Sequence, residues 1–213
     1  EKANNIISFL SSKQDNDVID SKEVRLLKGH IRKSESLAAT RYLGLPDKNV
    51  HFLNLPFYET GTIKKGKLSE TDINILIELI DEIKPHQIYA AGDLADPHGT
   101  HKVCLDAVFA AVRELKPKKF MKDCWVWLYR GAWQEWGIDE IEMAVPMGPD
   151  QVLEKRKGIF KHQSQKDGVV FQGADSREFW QRAEDRNRET AELYDQLGLS
   201  HYAAMEAFVR WHY

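Results

Sequence analysis

"QIYAAGDLADPHGTHKVCLDAVF", residues 87–109, decides how the chain is read. Residues 87–91 are a short apolar run of the kind that fills a buried strand. Pro97 and Gly99 break the segment that follows. Beyond them Cys104, Val108, Ala111, Val112 and Leu115 recur at helical spacing, up to Pro117. Strand, loop and helix follow one another, and in α/β sheets the chemistry gathers where strands end and loops run into helices. Here that loop carries two acids, Asp93 and Asp96, and two imidazoles, His98 and His101.

Outward from this junction the same alternation continues. Towards the N-terminus, Ser69 with Asp72 three residues on opens a helix bearing Ile73, Leu76, Ile80 and Ile83 on one face. Before it, "NVHFLNL", residues 49–55, alternates like a strand and stops at Pro56. A long helix precedes that, capped by Asp20 or Ser21 and closed by Gly44, where a left-handed residue is cheapest. Towards the C-terminus, "CWVWLY" and "IDEIEMAV" are strand-like, and Pro149 suits the first turn of a helix. Residues 176–197 are a charged helix, and "HYAAMEAFVRWHY" fits strand or helix equally. The class predicted is α/β, with a mostly parallel sheet and flanking helices in one domain spanning 1–213.

Composition narrows the function. At 213 residues the chain can bury a substantial core, and a net charge of −3 with interspersed signs offers no basic field for nucleic acid. No apolar run is long enough to span a bilayer. Two cysteines within apolar patterns, Cys104 and Cys124, suit a reduced, cytoplasmic compartment. The chain opens at Glu1 on what reads as the end of an amphipathic helix, so residues ahead of it are expected to have been lost.

Imidazole is a good zinc ligand, and a histidine at a helix start is held by the backbone. His98 and His101 could therefore face one cleft. Asp-Pro-His-Gly is also good turn material, and a capped loop explains the pair without a metal. A hydrolytic zinc site needs three protein ligands and an open position. The sequence contains no second HxxH, HxxE or CxxC to complete one.

Four ordered stretches, "IRKSESLAATRYLGL", "DPHGTHKVCLDAVFAAV", "EKRKGIFKHQSQ" and "HYAAMEAF", resemble the LmbE/PIG-L family of zinc-dependent N-acetylglucosaminyl deacetylases. The run from "GDLADPHGTH" to "YRGAWQEW" is especially similar to the PIG-L-like domain fused behind glucosamine-6-phosphate deaminase in some bacterial proteins. The resemblance implies a Rossmann-like fold whose first strand is missing from this chain. That strand would end in a His-Pro-Asp-Asp motif supplying two zinc ligands and a general base. The remaining ligands are thus expected upstream of Glu1, and the chain alone is expected to be inactive.

Carried over by position, His101 resembles a zinc ligand, and His98 the histidine that steadies the oxyanion or protonates the leaving amine. Asp96 joins His98 as a catalytic candidate. Thr100 stands where many relatives have an aspartate. Arg32 and Glu35 resemble an Arg-x-x-Glu pair near the substrate, although charge on a helix surface accounts for them equally. "KHQSQ", residues 161–165, fits a structural fastening, and Glu206 is open to either reading. Among the aromatics, Trp133 is the candidate for stacking on a sugar, with Trp136 beside it, and core packing is the plainer account of both.

The implied activity is a hydrolase acting on a carbon–nitrogen bond of an N-acetylated amino sugar or its phosphate, in amino-sugar metabolism. The implied partners are a small-molecule sugar and either a fused deaminase domain or a second copy of the chain. The alternative is a non-catalytic, sugar-phosphate-binding accessory domain.

Overall fold

A computed structural model describes residues 2–12, 20–58, 65–92, 99–131, 135–165 and 177–213. Helices α1 (Lys2–Ser12), α2 (Lys22–Tyr42) and α3 (Glu70–Ile83) precede β1 (Gln87–Ala91) and α4 (Thr100–Leu115). Then come β2 (Trp125–Tyr129), β3 (Met143–Met147), α5 (Pro149–Ile159), α6 (Phe179–Gln196) and β4 (Ala204–Trp211).

Local signals place the helix ends. The Ser21 side chain accepts from the Val24 amide and starts α2, and Gly44 just beyond its end is left-handed at φ 85°. Ser69 and Asp72 form a reciprocal capping box at α3, satisfying amides that the first turn leaves without partners. The ambiguous tail is a strand, β4.

Three expectations need correction. The sheet is mixed, in the order β1-β2-β4-β3: β1 and β2 are parallel, while β4 runs antiparallel to both β2 and β3. Alternating helices and strands point to a mostly parallel sheet, but β4 comes from the far end of the chain and inserts between β2 and β3. The second correction is that residues 50–55 are not a strand. Alternation suits a segment to a sheet, and it forms a strand only where a neighbour supplies the ladder. The predicted strand at 138–145 begins only at Met143, after a turn.

The core lies on one face of the sheet. Ala90 of β1 and Val126 and Leu128 of β2 meet Leu105, Ala111, Val112 and Leu115 of α4, with Ile80 of α3 behind. Phe109 of α4 stacks on Trp211 at 3.9 Å between centroids. The opposite face is covered mainly by α6 against β4. Nearer the β1 edge, Tyr89 is 49% and Trp125 44% exposed. "CWVWLY" is therefore not packed evenly on both faces.

Candidate functional site

Parallel pairing aligns the carboxyl ends of β1 and β2, and the Gly92 amide extends the ladder by one bond, 2.7 Å to the Tyr129 carbonyl. Gly92 leads into the histidine stretch. A Cβ at that position would lie 2.9 Å from the Leu128 Cβ and 3.0 Å from the Trp136 indole, so the close approach requires glycine. On the far side of the stretch, Gly99 caps α4 with φ 67°, and His101 is exposed in the first helical turn. Asp96, His98 and Trp133 lie outside the described residues. Among the described residues, no three His, Cys, Asp or Glu side chains come together as a metal would require.

Arg32 is exposed on α2, one turn before Glu35. The Glu35 carboxylate accepts both the amide and the hydroxyl of Ser164, each at 2.7 Å. Two motifs separate in sequence thus meet: the helix acid holds the turn that follows α5. Tyr42 reinforces this junction through its hydroxyl, bonded to Glu154 of α5.

Beside the β2 terminus lies an ionic cluster that sequence reading missed. Arg186 of α6, 7% exposed, donates to Glu135 at 2.8 Å and to Glu206 of β4 at 2.5 Å. Lys155 of α5 donates to Glu206 at 2.5 Å and to Asn187 at 2.6 Å, and the Thr190 hydroxyl lies 3.1 Å from Glu135. Burial pushes the Glu135 carboxyl above its ordinary range, opposed by Arg186 and by bonds from the Trp136 amide and Thr190. Burial acts the same way on Glu206, but Lys155 and Arg186 outweigh it and hold that carboxyl low. Burial, with Glu206 nearby, raises the Tyr129 phenol. The available signal was on α6, where Arg182, Arg186 and Thr190 share a face with Ala183 and Ala191, small residues that mark burial.

At the carboxyl end of β1, Trp136 closes on Gly92, and its amide links it through Glu135 to the ionic cluster. The family model described as GlcNAc-PI de-N-acetylase, PIG-L, matches residues 7–112. That stretch belongs to the PIG-L family. A Bacteroides thetaiotaomicron protein named as glucosamine-6-phosphate deaminase-like is 57% identical over 213 residues, covering 99% of this chain. The chain spans about a third of that relative's length, 32%.

Among solved structures, the conserved protein TT1542 from Thermus thermophilus superposes with a TM-score of 0.56 at 17% identity. That match covers 84% of this chain and 72% of the other. A deacetylase–bog complex from the teicoplanin biosynthesis pathway gives 0.53 at 16% identity, covering 85% and 73%. At such identities these two establish the likeness of fold. The PIG-L match ends within α4, so it takes in His101 and the stretch before it, while the ionic cluster lies beyond it.

Proposed function

We propose that residues 1–213 form one domain of a zinc-dependent de-N-acetylase acting on an N-acetylated amino sugar or its phosphate. The observation that carries the reading is the place of His101, exposed in the first turn of α4 beyond the carboxyl end of β1, inside the PIG-L match. Imidazole is a donor that zinc accepts readily, so the residue present fits the metal. The resemblance puts the other ligands ahead of Glu1.

Zinc, when bound, acidifies water and polarises an amide carbonyl. His98 would steady the oxyanion that develops on the acetamide or hand a proton to the departing amine, with Asp96 beside it in sequence. Arg32 would pair with an anionic group on the sugar, where a planar guanidinium suits phosphate. Glu35 holds the turn at Ser164, and Trp133 would stack on the sugar ring. Acetate and a free amine leave.

The parent protein would work in amino-sugar metabolism in the cytoplasm, in keeping with Cys124 standing as a buried thiol. Among the described residues, no helix is long and apolar enough to cross a membrane. A fused deaminase domain is one account of the extra length of the Bacteroides relative, whose name belongs to that protein.

The test uses the whole reading frame, with metal measured by plasma mass spectrometry and acetate release from N-acetylglucosamine-6-phosphate. The wild type should hold about one zinc per site and release acetate, and His101→Ala should lose both. A wild type with neither metal nor acetate rejects the hydrolase. Thr100 favours a second reading, a sugar-phosphate-binding domain without catalysis. For that reading, calorimetry should show glucosamine-6-phosphate binding that survives His101→Ala, with no acetate formed.

A further inference from the structure

The ionic cluster is costly to bury, and the proposed chemistry does not use it. Its place suggests a purpose. Glu135 accepts the Trp136 amide at 3.0 Å with one carboxylate oxygen and Arg186 at 2.8 Å with the other. Trp136 in turn closes on Gly92, and the Arg130 guanidinium lies 3.9 Å from the centroid of its ring. Arg186 is anchored by Glu206 in β4. A chain of contacts thus runs from the sheet's centre through Arg186, Glu135 and Trp136 to the last residue before the histidine stretch.

We propose that Glu135 is a positioning residue, whose buried ion pair with Arg186 holds Trp136 against Gly92 and so fixes the carboxyl end of β1. This rests on the deacetylase reading for its effect on turnover, but not for the contact itself. An ordinary surface pair would leave Trp136 indifferent to the charge on Glu135. Here one carboxylate bonds both the guanidinium and the Trp136 amide, so losing its charge weakens both bonds at once.

The groups facing Glu135 are Arg186 and Thr190 from α6 and, across the guanidinium, Glu206 from β4 with Lys155 of α5 behind it. Tyr129 lies at the end of β2, and Arg130 lies over the indole. Of the two carboxylates on Arg186, Glu135 is pushed towards protonation by burial, while Glu206 is held ionised. As pH falls, Glu135 gives way first.

The experiment labels the whole protein with 5-fluorotryptophan and assigns the Trp136 fluorine signal by its loss in Trp136→Phe. In the wild type this signal should shift between pH 8 and 4.5, with an inflection above the usual carboxylate range, about 4.3. In Glu135→Gln it should stay flat, with kcat lowered about tenfold and KM within about twofold, as misplaced groups cost rate before affinity. Trp136→Ala should lower kcat alike, and adding Glu135→Gln to it should lower kcat no further.

Thr190→Val, which removes one bond to Glu135, gives a milder version should the first variant not fold. A Trp136 signal that titrates unchanged in either variant, or losses in kcat that multiply, overturns the proposal. If the wild type releases no acetate while its Trp136 signal behaves as described, the contact stands and the hydrolase reading fails.

Discussion

Glu35 and Ser164 are 129 residues apart, and Ser164 donates to both carboxylate oxygens, its amide to one and its hydroxyl to the other, each at 2.7 Å. Ser164→Ala removes the hydroxyl bond and should cost about 1 kcal/mol. Glu35→Ala should cost somewhat more, because the amide of the turn also loses its acceptor. The double variant should cost no more than Glu35→Ala alone, as measured by urea unfolding. Additive costs would mean that the two residues do not act as a pair.

Asp72 is wholly buried, and it accepts the Ser69 amide at 2.9 Å, the Ser69 hydroxyl at 2.5 Å and the Phe57 amide at 3.0 Å. Burial alone would raise its carboxyl, but these bonds outweigh it and hold the group below its ordinary 3.8. A carboxylate lowered on folding stabilises the fold above its unfolded pKa, and that contribution disappears as pH falls through the folded value. Asp72→Asn should lower stability at pH 7 by about 2 kcal/mol and flatten the acid limb below about pH 4. Parallel acid limbs in the two proteins would refute this.

Arg186 holds two carboxylates in a buried setting. Arg186→Ala leaves both acids without their guanidinium and should cost about 3–5 kcal/mol in urea unfolding. A cost below about 1 kcal/mol would mean that the cluster is solvated, as exposed pairs are.

Gly92→Ala puts a methyl group 2.9 Å from the Leu128 Cβ and 3.0 Å from the Trp136 ring. The ring can turn aside, but the Leu128 Cβ is fixed to its strand. A loss of about 1–3 kcal/mol is expected, and pairing the change with Trp136→Ala should recover only part of it. Thermal unfolding of the three variants checks this, and full recovery would place the clash on the indole alone.

Helix boundaries were legible because their causes are local. Ser21, Ser69 with Asp72, Gly44 and Pro149 each act within a turn of themselves, and each stands where its chemistry predicts. The course of the sheet was not legible. Nothing within "AMEAFVRW" says that it will pass between β2 and β3, because that choice depends on partners some 60–80 residues away. Residues 50–55 show the same limit from the other side, an alternating pattern without the neighbour that would make it a strand.

At the candidate site, His101 at the head of a helix was readable from strand, loop and helix in order. The Glu135–Arg186–Glu206 bridge was not. Charges in "WQRAEDRNRETAEL" look like a solvated face until β4 and the segment after β2 close over them.

The two rims of the sheet differ in their capacity to recruit more chain. β3, at one rim, contains Pro146, which has no amide to offer, whereas β1, at the other, has an amide at every position from Gln87 to Ala91. Backbone pairing by a further strand therefore meets no proline at the β1 rim, the strand that the Gly92 amide continues, and meets one at β3.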